Sequence, residues 1–76
     1  MKVFVLVIDS EDGTTTDVFA KGGDAVTFLY QYVSASWPKV AWALGDTVPE
    51  DTLEAIARYF DFSSNDWYVL NEEEVR

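Results

Sequence analysis

The sequence predicts an α+β fold of order β-β-α-α-β, a three-stranded antiparallel sheet with two helices packed on one face. Three observations carry that expectation. Val3 to Ile8 are apolar at every position, the pattern of a central strand. Asp12-Gly13 is a pair that tight hairpin turns favour. Two later stretches, beginning near Asp24 and Thr47, carry apolar residues at helical spacing.

Each element has its own local reason. The β-branched content of Val3 to Ile8 favours strand over helix. Asp12-Gly13 is expected to fill the centre of a type I′ turn, where both residues need positive φ. Thr14 to Lys21 then read as a second, more polar strand, whose threonines suit a half-solvated edge. Lys21-Gly22-Gly23 ends it, and Asp24 is the expected N-cap of the first helix. Ala25, Leu29, Tyr32, Val33 and Trp37 fall along its inner stripe. Pro38 stops it, because a residue before proline disfavours the α region. Pro38 to Asp46 reads either as a short helical turn or as an irregular loop, closed by Gly45. Thr47 and Glu50 fit a capping box. Leu53, Ile56, Ala57 and Phe60 follow as an inner stripe, with Asp51, Glu54, Arg58 and Asp61 outside. Residues 63–65 turn the chain, and Trp67 to Asn71, extending toward Glu73, form the last strand.

Seventy-six residues make one domain, 1–76, with no repeat, linker or low-complexity tract. A chain of this size buries only about 60% of its unfolded surface. Without cysteine no disulfide can help, so stability must come from a dense core. A composition 49% hydrophobic and 16% aromatic provides for one and separates the chain from disordered acidic tails. The apolar run after Lys2 ends at Asp9, too early for a signal peptide. No stretch approaches the ~20 apolar residues of a membrane span. The expected setting is the cytoplasm, without membrane association.

The absence of His and Cys removes the Ser-His-Asp triad, the cysteine nucleophile and the usual zinc sites. A catalytic carboxylate pair would need burial to raise one pKa. The carboxylates here fall in turns, on a helix exterior and near the end of the chain. Asp9 to Gly13 resembles the start of a calcium loop, but the glycine falls at position 5 and not 6. Gly22-Gly23 before a helix lacks the lysine of a phosphate loop, and Asp24 would repel phosphate. The chain is therefore expected to be non-enzymatic, with no cofactor and no metal.

Charge is the strongest remaining signal. The net charge is −9, from fourteen carboxylates and five cations. Residues 1–45 hold three cations against five carboxylates, a balance of −2, and residues 46–76 hold two against nine, a balance of −7. Such a field repels nucleic acid and anionic lipid and attracts basic protein surfaces. The candidate contact residues are Glu50, Asp51, Glu54 and Asp61 on the second helix, with Glu72, Glu73 and Glu74 as a second patch. Glu72 to Glu74 repel one another, with only Arg76 nearby in sequence to offset them. The competing reading is a solvated surface that keeps an aromatic-rich small protein dissolved. The aromatics are also open to two readings. Trp37 and Trp42, which straddle Pro38, either close one end of the core or form an exposed anchor for a partner.

The pattern of FVLVIDSEDGTTTDVF, PEDTLEAIARYF and DWYVLNEEEV resembles the small acidic accessory proteins of bacteriophages and mobile elements, anti-CRISPR inhibitors among them. The resemblance covers the whole chain as an order of elements and rests on no specific motif. It implies a DNA-mimicking inhibitor in a bacterial host. Its carboxylates would occupy the basic nucleic-acid-binding surface of a defence complex, a CRISPR effector being the leading example. No direct nucleic-acid contact is expected, and both monomer and homodimer remain open. Reversing Asp51 and Glu54 together is expected to abolish binding and leave the far-UV circular dichroism unchanged. The alternative is a small adaptor or homo-oligomer that binds through its aromatics or the free edge of the second strand.

Overall fold

A computed structural model describes residues 1–63 and 65–75. Ser64, in the middle of the predicted turn, and Arg76, the expected offset to the glutamates, lie outside the described residues. The elements are β1 (Lys2–Ser10), β2 (Gly13–Phe19), α1 (Gly22–Ser36), a 3-10 turn (Trp37–Lys39), α2 (Ala41–Leu44), α3 (Thr52–Phe62) and β3 (Trp67–Glu74). The strands form one antiparallel sheet of order β2-β1-β3. The fold is the predicted α+β arrangement, with the single-turn α2 added between the two long helices. Two compact units divide the chain. The first is Met1–Val26 with Asn65–Arg76 and holds the sheet, and the second is Thr27–Ser64 and holds most of the helical residues.

In the sheet unit, β1 is central, as its unbroken apolar run predicts. Its two faces differ: Leu6 and Ile8 are buried, whereas Val3, Val5 and Val7 on the opposite face are half-buried. The register places Leu6 against Asp17 and Leu70, and Val7 against Thr16 and Val69. The backbone hydrogen-bonding pattern follows from one contact. Val75 N–H donates to Met1 O at 2.7 Å, which extends the β1–β3 register by one pair. Hydrogen-bonded and non-hydrogen-bonded pairs alternate along an antiparallel ladder. Val69, Asn71 and Glu73 therefore turn their backbone groups toward β1, and Leu70, Glu72 and Glu74 turn theirs outward. The even residues of β1 then serve β2, which agrees with a two-residue loop joining Ser10 and Gly13.

Two local expectations change in this unit. The turn residues are Glu11 and Asp12, not Asp12 and Gly13. No residue other than glycine has positive φ among the described residues, so the turn is not type I′, and Gly13, which follows the turn with φ 123°, is the position there that needs glycine. Ser10 Oγ supports the bend by accepting from Asp12 N–H at 3.3 Å. The helix also begins earlier than predicted. Gly22 and Gly23 are its first residues and Asp24 lies inside the first turn, where a carboxylate favours the helix dipole without capping it. Gly22 has a packing reason, because a Cβ there would meet the Phe4 ring at 3.2 Å.

In the helical unit the buried side chains are Leu29 and Val33 of α1, Trp37 and Val40 around the 3-10 turn, and Ala55, Ile56 and Tyr59 of α3. Tyr32 joins the two long helices, with its ring 6.1 Å from Tyr59, edge to face, and stacked 6.3 Å from Phe60. Tyr30 Oη donates to Pro49 O at 3.1 Å. Trp37 Nε1–H donates to Gly45 O at 2.7 Å and so closes the Pro38–Asp46 segment onto the buried indole.

The inner face of α3 is a correction. Leu53 and Ala57 are exposed, and the buried stripe is Ala55, Ile56 and Tyr59 with Phe60 beside it. The cap moves too. Asp51, not Thr47, is the N-cap, with φ −71° and ψ 118°, and its Oδ1 accepts from Glu54 N–H at 2.9 Å. At 100° per residue Leu53 and Ala55 lie about 160° apart around the helix, so a face that buries Ala55 with Ile56 and Tyr59 turns Leu53 outward.

Candidate functional site

The seven predicted contact carboxylates are all exposed and fall into two groups, one in each unit. In the helical unit, Glu50 precedes the cap and Asp51, Glu54 and Asp61 follow along α3. Two of the four already have work within the helix. Asp51 caps it, and Glu54 Oε1 pairs with Arg58 Nη2 at 2.7 Å, one turn on. Reversing Asp51 and Glu54 would therefore remove a cap and an ion pair along with the charge. The expectation that this change leaves the helix intact does not fit the geometry. Glu50 and Asp61 make no ion pair or hydrogen bond through their side chains among the described residues. They lie near opposite ends of α3, roughly 15 Å apart at 1.5 Å per residue.

In the sheet unit, Glu72, Glu73 and Glu74 belong to β3, so alternation sends neighbours to opposite faces. Glu72 and Glu74 share the face of Leu6 and Ile8, and Glu73 shares that of Val3 and Val5. The cations that offset the run come from the start of β1. Lys2 Nζ lies 3.1 Å from Glu72 Oε1, and the Met1 amine lies 3.3 Å from Glu74 Oε1. Both pairs are more than half exposed on at least one side, so each contributes little to stability. Glu73 has no such partner among the described residues. Three adjacent glutamates are thus tolerated because the strand separates them and β1 brings cations to two of them.

The aromatic readings also separate. Trp37 is 2% exposed and is core. Trp42 is 80% exposed, yet its position is fixed: Nε1–H donates to Lys39 O at 3.1 Å, and its ring meets Phe62 edge to face at 5.6 Å. The pairing of Trp42 joins α2 to Phe62, the last residue of α3, and is a contact that the sequence reading missed. A cleft of about 280 Å³ in the same unit is lined by Ser34, Trp37, Pro38, Ala41, Asp46 and Val48. That is near the lower limit for small-molecule sites, and Asp46 is the one carboxylate lining it.

Asp9 Oδ1, the first residue of the calcium-like run, accepts from Thr14 Oγ1–H at 2.6 Å. Among the described residues no three carboxylates gather at metal-binding distance. No described helix is long and apolar enough to cross a membrane. Compared with known proteins, the chain matches no family model, no curated protein and no solved structure.

Proposed function

We propose that the chain is a non-enzymatic, acidic protein-binding module that engages the basic nucleic-acid-binding surface of another protein, as an inhibitor of phage type would engage a host defence complex. The observation that carries this reading is the exposure of Glu50, Asp61 and Glu73 without side-chain partners among the described residues, in a chain of net charge −9. These carboxylates do nothing for the fold that the structure reveals, so their charge is available to a partner. Charge density favours the helical unit. Along the outer side of α3, four carboxylates and Arg58 give a net −3 over roughly 15 Å, about one charge per 5 Å. Along β3 the three glutamates alternate between faces, and Lys2 and the Met1 amine offset two of them, leaving a net −1 over about 7 Å.

The test is a pull-down with the tagged chain from nuclease-treated bacterial lysate at about 50 mM and about 500 mM salt, a range over which exposed charge is screened. A basic nucleoprotein component is expected at the low salt and lost at the high. The Glu50→Lys, Asp61→Lys double variant should fail to retain it while keeping its circular dichroism. Retention by that variant would remove the helical carboxylates from the reading.

Trp42 supports a second reading, an adaptor that binds through an aromatic anchor. An indole held in place while exposed resembles an interface hot spot. This reading expects binding that survives 500 mM salt and is lost on Trp42→Ala.

A further inference from the structure

The outer edge of β3 offers a way of binding that side-chain charge alone does not. β3 ends the sheet on one side, and seven of its eight residues are exposed, Leu70 being half-buried. The outward backbone groups of Leu70, Glu72 and Glu74 repeat every ~6.8 Å, the spacing an added strand requires. Trp67 to Glu74 contain no proline and no lysine, the register with β1 runs without a bulge from Asp9–Trp67 to Lys2–Glu74, and the protection the edge does carry is the negative charge of Glu72–Glu74, which a basic segment would neutralise. Its composition is polarised. Trp67, Tyr68 and Val69 expose apolar surface at one end, and Glu72, Glu73 and Glu74 place carboxylates on both faces at the other.

We infer that the β3 edge accepts an extended segment of a partner protein as a fourth strand, antiparallel to β3. The segment is basic where it lies beside Glu72–Glu74 and apolar where it lies beside Trp67–Leu70. Charge complementarity selects this occupant. A second copy of the chain, itself at −9, is repelled. A basic segment gains on both faces at once, because the glutamates flank the edge above and below. Antiparallel addition continues the existing sheet and places the basic residues at the N-terminal end of the incoming strand. The inference rests on the reading of the chain as a binder of basic protein surfaces, and it names which backbone such a partner would present.

The experiment uses the whole protein and two synthetic peptides of about eight residues, a typical strand length. One has arginines in its N-terminal half and valine and threonine in its C-terminal half. The other has the same side chains but is N-methylated at alternate residues, so it keeps the charge and loses the outward donors. Binding is measured at about 50 mM salt, with amide hydrogen exchange read residue by residue. In the free protein the amides of Leu70 and Glu72 are expected to exchange faster than those of Asn71 and Glu73. The first peptide is expected to bind and protect Leu70 and Glu72, and the methylated one to bind about tenfold or more weakly. Equal binding of both peptides overturns strand addition and leaves the acidic-surface reading standing. Protection at Thr14, Thr16 and Val18 overturns it in favour of the β2 edge. Binding of neither peptide also overturns it, and the Glu50 and Asp61 variant then decides the broader reading.

Discussion

The outer side of α3 and the end of β3 carry similar numbers of carboxylates and use them differently. On α3 the 3.6-residue period brings Glu54 and Arg58 together, and the cap position claims Asp51, so the helix consumes its own charge. On β3 the two-residue period separates Glu72, Glu73 and Glu74, and their compensation comes from Lys2 and the Met1 amine on a strand distant in sequence. A run of like charge therefore means different things on different elements. On a helix, charges three or four apart interact and charges next to each other diverge. On a strand, next neighbours face opposite ways, and the partners that matter are set by register.

That difference can be broken or sharpened by substitution. The largest effect is expected beneath α3, where Ile56→Ala should cost about 3 kcal/mol in urea unfolding because it hollows the buried stripe that holds the carboxylates outward. If Ile56→Ala costs no more than Leu53→Ala, the buried stripe has been assigned wrongly. Asp51→Ala comes next, at about 1 kcal/mol, whereas Thr47→Ala should cost much less if Asp51 is the cap. A double-mutant cycle on Lys2 and Glu72 should return about 0.5 kcal/mol at low salt and less at high salt, as an exposed pair allows. Glu73→Gln should leave stability within about 0.5 kcal/mol of the parent and lower partner binding at low salt. A stability loss from Glu73→Gln comparable to that from Glu72→Gln would abolish the distinction between the two faces of β3.

Much of the fold was legible because its strongest signals are local. The apolar run of β1, the polar β2 behind it and the proline after α1 each act within a few residues. Where the sequence misleads, two local patterns compete. Thr47-Val48-Pro49-Glu50 and Asp51-Thr52-Leu53-Glu54 both offer a capping side chain three residues before a glutamate, and the second is used: Asp51 Oδ1 accepts from Glu54 N–H, while the Glu54 carboxylate pairs with Arg58. The stripes Leu53-Ile56-Ala57-Phe60 and Ala55-Ile56-Tyr59 both have helical spacing, and leucine and phenylalanine make the wrong one look more apolar. The candidate carboxylates were legible as exposed residues, but their partners were not. Lys2 meets Glu72 only through the β1–β3 register, and Trp42 meets Phe62 only through the fold of the helical unit. Nothing in the one-dimensional pattern marks Glu73 as unlike its neighbours until β3 has a register.

The β2-β1-β3 order also governs how the chain reaches this structure. β1 pairs with β2 across a two-residue turn, yet Leu6 must wait for Leu70, and Lys2 for Glu74. Contacts so distant in sequence raise the entropy of closure and slow folding. On a ribosome adding 5–20 residues per second, roughly 3 to 11 s separate the emergence of β2 from that of β3. In that interval β1 stands beside an unfilled slot, one edge of its Val3, Val5 and Val7 backbone unpaired, in a two-stranded hairpin that is marginal alone. β3, which follows β1 and β2 in sequence, is the strand that covers it. A nascent chain stalled after α3 would present that slot to any extended segment, so the sheet is most exposed to chaperones and to mispairing just before β3 appears.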